Sequence, residues 1–227
     1  MWTIEQTPIG RIAIAPGNAA VFCTSADYDG RLGDELTRLV RDRFGIDTTL
    51  STCWQVHGVN VVRAPHDEVV ECDALWSERR GVSIGIKIAD CLPVTMIDPT
   101  HSIIANAHSG WRGAAQGITA KTLDVLEQSS PFDASSAFAY LGPSIRVCCF
   151  EVGEEVAAQF DERYLDRSRA KPHVDLPAMT AALLRERGFA AERVSDSGLC
   201  TRCEGSIFHS YRREGKGGGR NLQIVAQ

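Results

Sequence analysis

The sequence predicts a mixed α and β fold, and three observations carry that reading. Val82, Ile84, Ile86 and Ile88 alternate with small or polar residues, the two-residue period of a strand with one buried face. Leu32, Leu36, Leu39, Val40 and Phe44 recur at helical spacing instead. Such segments are intermixed along the chain, with hairpin-like strand runs among them and no internal repeat. The pattern leaves the topology open.

The elements follow in order. "IGRIAIA" and "AAVFC" read as strands, and "RLGDELTRLVRDRFG" as a helix stopped by Gly45. "NVVRAP" is a short strand closed by its proline. "GVSIGIKIAD" is a strand that delivers Asp90 and Cys91 at its end, and "LPVTMID" continues as a second extended run. "SIIANAH" is a further strand, with "GAAQGITAKTLDVLEQ" as the helix after it. "SAFAYLG" is extended, and "EVGEEVAAQFDERY" is helical with Val152, Val156 and Phe160 on one face. "DLPAMTAALLRERGF" is a helix with Asp175 as its cap and Pro177 in its first turn. "AERVSDSG" and "SIFHSYRR" read as strands around a cysteine-containing turn. "REGKGGGR" is expected to be a mobile basic loop before the closing segment "RNLQIVAQ".

With 227 residues and 44% hydrophobic content, the chain can bury a sizeable core. Its 24 Lys and Arg against 29 Asp and Glu give a net charge of −5, which argues against nucleic acid as a partner. The N-terminus lacks a basic region followed by an apolar stretch, and no apolar run approaches the roughly 18 residues of a membrane span. A cytoplasmic protein without membrane contact, monomeric or homodimeric, is therefore expected. Its eight cysteines are expected to be reduced and available for metal or catalytic use.

Three segments place metal-capable side chains at element boundaries: "WQVHG" with His57, "IADCLPV" with Cys91 and "NAHSGWRG" with His108. Two imidazoles and a thiolate suit Zn²⁺, and three protein ligands leave a fourth position open, as in catalytic rather than structural sites. Water on such an ion has its pKa lowered towards about 7. Two other readings use the same residues. Cys91 can be a buried thiol with the histidines hydrogen-bonded at turns, or a thiolate nucleophile with His108 as its base. Asp90, beside Cys91, is a candidate catalytic acid, or an orienting group because strand alternation points it away from Cys91.

"QVHG", "ADCLPV", "AHSGWRG", "GPSI…FEVGEEV", "DLPAM", "CT" and "FHSYRR…GR" occur in this order between about residues 50 and 225. That series resembles the multicopper polyphenol oxidoreductase (laccase-domain) family, also called the purine nucleoside phosphorylase or peptidoglycan editing factor family. The resemblance implies a single domain over 1–227, an α+β sandwich of mixed sheets flanked by helices. That fold is distantly like the catalytic domain of cytotoxic necrotizing factor, a cysteine–histidine deamidase. It implies zinc on His57, Cys91 and His108, with copper ascribed to some members. It further implies phosphorolysis of adenosine, inosine or methylthioadenosine, with adenosine deamination, in a pocket for nucleoside and phosphate. Polyphenol oxidation and removal of wrongly incorporated amino acids from peptidoglycan precursors are ascribed to other members. A multicopper site in the ordinary sense needs many more histidines than the six present. Residues 1–50 diverge from the family pattern: Ser25 in "CTSADYDGRLGDE" stands where members carry an arginine, and the "LNLG" turn is missing. Arg146 and Val147 also replace the family's glycine–proline turn.

Arg112, Arg212, Arg213 and Arg220 are the candidates to bind an anionic substrate, since the guanidinium fork matches phosphate oxygens. On a strand, Arg212 and Arg213 face opposite ways, so one of them is expected at the pocket. Trp54 and Trp111 flank two proposed ligands and are candidates for stacking on a purine or for core packing. Cys200 and Cys203 form a C-x-x-C pair, a weak redox or metal signal by itself, and Cys148 and Cys149 are expected to pack.

Overall fold

The computed structural model describes residues 1–17, 19–25, 33–66 and 68–227. The chain runs through β1 (Thr3–Thr7), β2 (Gly10–Ile14), β3 (Ala20–Thr24), α1 (Asp34–Phe44), β4 (Thr49–Ser51), β5 (Val61–Arg63) and β6 (Ala74–Ser77). It continues with β7 (Val82–Ile88), β8 (Leu92–Asp98), β9 (Ile103–Ser109), α2 (Trp111–Ala115), α3 (Ile118–Ser129) and β10 (Phe138–Leu141). The last third holds α4 (Glu154–Ala157), β11 (Leu165–Asp166), β12 (His173–Val174), α5 (Leu176–Glu186), β13 (Val194–Asp196), α6 (Tyr211–Glu214) and β14 (Asn221–Ala226). No helix among the described residues is long and apolar enough to cross a membrane.

Two six-stranded mixed sheets form an α+β sandwich, as expected. Their orders are β1-β2-β3-β14-β7-β4 and β13-β10-β8-β9-β6-β5. Facing side chains such as Val21, Ile84, Ile86 and Val225 of the first sheet meet Leu75, Ile104 and Tyr140 of the second. The outer face of the first sheet packs on Leu36, Leu39 and Val40 of α1. The outer face of the second buries Val94, Met96, Ala105 and Ala107 against Leu123 and Leu126 of α3 and Leu184 of α5. A polar ring also ties the sheets: Gln223 donates to the Thr95 hydroxyl, Thr95 to Asn106 Oδ1, and Asn106 Nδ2 to the carbonyl of Gln223. Each group would be costly to bury unpaired, so the ring fixes the register of β8, β9 and β14 together.

The structure differs from the pattern reading in several elements. Helix 113–128 is broken into α2 and α3 by Gly117, whose φ of 82° lies in the left-handed region open to glycine. The expected helix over 151–164 keeps only α4, because Asp161 caps a separate 3₁₀ turn by accepting from the Arg163 N–H. "SIFHSYRR" is not a strand but a turn leading into α6, started by the Ser210 hydroxyl, which accepts from the Arg213 N–H. Residues 215–217 of the glycine-rich segment form a 3₁₀ turn. The whole of "ADYDGRL", residues 26–32 with Leu32 among them, lies outside the described residues, whereas Ser25 is buried just after β3.

Candidate metal centre

Three neighbouring strands converge on one end of the second sheet. β9 runs antiparallel to both β6 and β8, so its C-terminus lies beside their N-termini, with Ala107 opposite Ala74 and Ser109 opposite Leu92. The residue before β6 is Asp73, the residue before β8 is Cys91, and His108 is the penultimate residue of β9. Sheet register thus brings together residues that lie 17 to 35 positions apart.

His57 joins them from the loop after Trp54. Asp73 accepts backbone N–H bonds from Val56, His57 and Gly58 at 3.2, 2.9 and 2.7 Å. That grip holds His57 at a φ of 62°, a left-handed conformation uncommon for a side-chain-bearing residue and retained where surrounding bonds determine it. The imidazoles of His57 and His108 lie edge to face, with ring centres 4.8 Å apart. Ligand atoms of His57, Cys91 and His108 all lie within 4.8 Å of one another. Only modest side-chain movement would close them on an ion with bonds of about 2.0–2.3 Å. Gly110 makes room for this approach, because a Cβ there would meet Cys91 Sγ at 2.9 Å and His57 Cδ2 at 3.1 Å. Cys91 is partly buried, His108 is buried and His57 is exposed, so the group opens to solvent on the His57 side.

Asp73 also orients His108, whose Nδ1–H donates to its carboxylate at 2.8 Å, leaving Nε2 to face Cys91. Burial opposes ionisation of Asp73, but the bonds from His108 and from the Gly58 N–H outweigh it and hold the carboxyl below its usual range. Burial likewise resists the charged forms of Cys91 and His108. Hydrogen bonds from His108 and His57 nevertheless bring the Cys91 thiol down to about 6. Bonds to Asp73 and Cys91 push His108 up to about 9. Without metal the pair is therefore a thiolate and an imidazolium near neutrality, and a metal ion must displace the imidazolium proton.

The centre lies in a cleft of about 710 Å³, within the roughly 300–1,000 Å³ usual for small-molecule pockets. Trp54, Trp111, Phe150 and Tyr211 give it aromatic walls, and Lys87, Arg112, Arg212 and Arg220 line it with positive charge. The Arg112 guanidinium rests on the Trp111 ring, 4.4 Å from its centre. Arg213 is not among the lining residues. Its guanidinium donates to the carbonyls of Thr201, Arg202 and Phe208 and so fastens a loop. Arg146, which stands in the family's glycine–proline turn, is engaged by both oxygens of Asp196.

Asp90 lines the cleft, but its two oxygens are engaged. Oδ1 accepts from the Thr201 hydroxyl at 2.6 Å and Oδ2 from the Arg212 N–H at 2.7 Å. This buried carboxylate anchors α6, and with it Arg212, to the end of β7. Sequence reasoning overlooked Asp73 and Lys87. An acid inside the apolar run "CDALW" was the available signal for the first, and the outward parity of Lys87 on β7 for the second.

This α+β sandwich, with an open His–Cys–His group at the sheet ends, has relatives. The chain matches the family described as multi-copper polyphenol oxidoreductase laccase over residues 24–227, and it belongs to that family. It is 34% identical over 218 residues to "Purine nucleoside phosphorylase PA4543" of Pseudomonas aeruginosa, covering 93% of this chain and 88% of that protein. It is 35% identical over 159 residues to "Adenosine deaminase RL5" of an unknown prokaryotic organism, covering 66% of this chain and 60% of that one. The crystal structure of YlmD from Geobacillus stearothermophilus shares the fold, with a TM-score of 0.84 at 22% identity over 99% of this chain and 98% of that one.

Two outcomes follow for metal binding, with Zn²⁺ as the probe. Asp73→Asn is expected to weaken zinc binding at this centre about 10- to 100-fold, measured by competition with a chromogenic chelator, with secondary structure retained. The affinity of the metal-free protein should rise about tenfold per pH unit between about 6 and 9, because one imidazolium proton is released on binding. It should level off above about 9, and a flat profile across that window would contradict the thiolate–imidazolium pair.

Proposed function

We propose that the protein is a zinc-dependent purine nucleoside enzyme that phosphorolyses adenosine, inosine or methylthioadenosine and deaminates adenosine. The observation that carries this reading is the conjunction, in one cleft, of an open His57–Cys91–His108 group, aromatic walls and Lys87, Arg112, Arg212 and Arg220. The names of the relatives point the same way. Two imidazoles and a thiolate with an open side fit Zn²⁺, which when bound supplies an electrophilic centre and acidifies water. Copper could occupy the same group. A multicopper centre is not supported: of the four remaining histidines, His66 bonds to the Glu68 carbonyl, His101 pairs with Asp98, His209 pairs with Glu214, and His173 is buried in β12, and none of them joins a group of metal-capable side chains among the described residues.

The chain's own residues supply binding and orientation. Trp54, largely exposed at the cleft, and Trp111 can stack on a purine face. Arg212 is oriented by Asp90 through its backbone, and Lys87 and Arg112 add charge where a phosphate would approach the sugar. Asp73 keeps the His108 Nδ1 proton away from the cleft, so only Nε2 is directed at the centre. Arg220, hydrogen-bonded to the carbonyls of Gly218 and Gly219, completes the cationic rim.

A second reading is favoured by one arrangement: Cys91, His108 and Asp73 also stand in the order of a nucleophile, a base and its orienting acid. A cysteine hydrolase or amidase acting on a peptidoglycan precursor would use these residues without metal. Zinc-loaded protein given adenosine or inosine with phosphate should release free base and ribose 1-phosphate. That activity should be lost on chelation and restored by zinc, and Arg212→Ala should raise the phosphate KM severalfold. No base release, together with amidase activity that survives chelation and disappears in Cys91→Ala, would favour the thiol reading instead.

A further inference from the structure

A second cluster of metal-capable side chains lies apart from the His–Cys–His group. β10 and β13 pair in parallel, so the segments leaving their C-terminal ends run side by side. Ser144 and Cys200 form a parallel bridge, with the Ser144 N–H donating to the Leu199 carbonyl and the Thr201 N–H to the Ser144 carbonyl. Cys148 and Cys149 lie on the first segment, and Cys200 and Cys203 on the second. All four are free thiols.

Their sulfurs have the spacing of one coordination shell. Cys148 and Cys149 Sγ are 3.6 Å apart, Cys149 and Cys203 3.4 Å, and Cys148 and Cys203 3.9 Å. Cys200 lies within 4.8 Å of the other three. Zn–S bonds of about 2.3 Å in a tetrahedron separate the sulfurs by roughly 3.8 Å. Four sulfurs of a large iron–sulfur cluster would stand much further apart. A disulfide requires about 2.05 Å, far shorter than any of these separations.

The local backbone turns donors towards the sulfurs: N–H groups of Cys203, Arg146 and Arg202 hydrogen-bond to the Cys200 sulfur. Two of those donors lie within the C-x-x-C turn itself, and the third comes from the opposite segment. Arg169 donates to the Cys148 carbonyl, and Arg213 to the carbonyls of Thr201 and Arg202. These guanidiniums place positive charge beside a site that four thiolates and one Zn²⁺ would leave dianionic.

We infer that Cys148, Cys149, Cys200 and Cys203 form a closed, structural four-thiolate site for one Zn²⁺. It differs in kind from the cleft centre, since four protein ligands leave no position for water or substrate. It staples the segment bearing Ile145 and Phe150, which line the cleft, to the one bearing Thr201, which holds Asp90. Zinc here would therefore stiffen one wall of the cleft without touching substrate.

Zinc is counted by elemental analysis of the full chain purified under thiol-reducing conditions, beside Cys91→Ser, Cys203→Ser and the double variant. The expected content is about two ions in the unaltered chain, about one in each single variant and none in the double. One ion in Cys91→Ser and none in the double supports the four-thiolate site whatever Cys203→Ser retains, so failure of the cleft centre is scored separately. No ion in Cys91→Ser overturns the inference, as does recovery of the four thiols as disulfides without metal. Cys148→Ser, at the other exposed cysteine, replaces Cys203→Ser if that variant does not fold. Cobalt loaded into Cys91→Ser should give the intense thiolate-to-metal absorption of four sulfur ligands, and a spectrum lacking it overturns the assignment independently of any second variant.

Discussion

The buried carboxylate of Asp73 is the constraint on which the cleft centre depends. Burying an ionised carboxylate costs several kcal/mol unless its lone pairs are filled. Here one imidazole N–H and three consecutive backbone N–H groups fill them. The same four bonds therefore set the His108 tautomer and fold the 56–58 loop so that His57 returns to the sheet end. With a cation on Nε2 of His108, the negative charge of Asp73 is balanced through the ring. Without one, the imidazolium itself provides the balance. Carboxylate, imidazole and ion form one electrostatic series, so loop shape and metal affinity are coupled.

The cleft repeats this economy in Asp90. One acid of positive φ at the end of β7 takes the Thr201 hydroxyl and the Arg212 N–H in the first turn of α6, so a strand end, a loop and a short helix meet at one carboxylate. Arg212 is thereby presented to the cleft, while its neighbour Arg213 lies against Gly205 and binds loop carbonyls. Two adjacent arginines divide the work between charge and architecture. On a helical turn they diverge by about 100°, not by the half-turn of a strand.

Much of this was legible in the sequence, and what was not has physical causes. The central strands β7, β8 and β9 announce themselves because their apolar periodicity is local and strong. The C-terminal end of α1 at Gly45 and the N-terminal end of α5 at Asp175 and Pro177 follow from local turn and capping chemistry as well. β4 and β6 are short and owe their state to partners distant in the chain, whereas β1 has an irregular pattern and is held as the outer arm of a hairpin with β2. "SIFHSYRR" carries an alternating pattern that the Ser210 cap and Asp90 override. The three metal-capable side chains were visible as residue types at element ends. Asp73 was not, because its role exists only once β6 lies beside β9. The four cysteines were visible as two unremarkable pairs 51 residues apart, and only the parallel pairing of β10 with β13 joins them.

The central claim is that sheet register and Asp73 together assemble His57, Cys91 and His108 into a metal centre open on one side. Anomalous diffraction at the zinc edge, from crystals of zinc-loaded protein, tests this most directly. The account predicts an anomalous peak bonded to one nitrogen of each histidine and to the Cys91 sulfur, at about 2.0–2.3 Å, with at least one non-protein ligand. Zinc-loaded crystals with no peak at this position, and with His108 still bonded to Asp73, would contradict it.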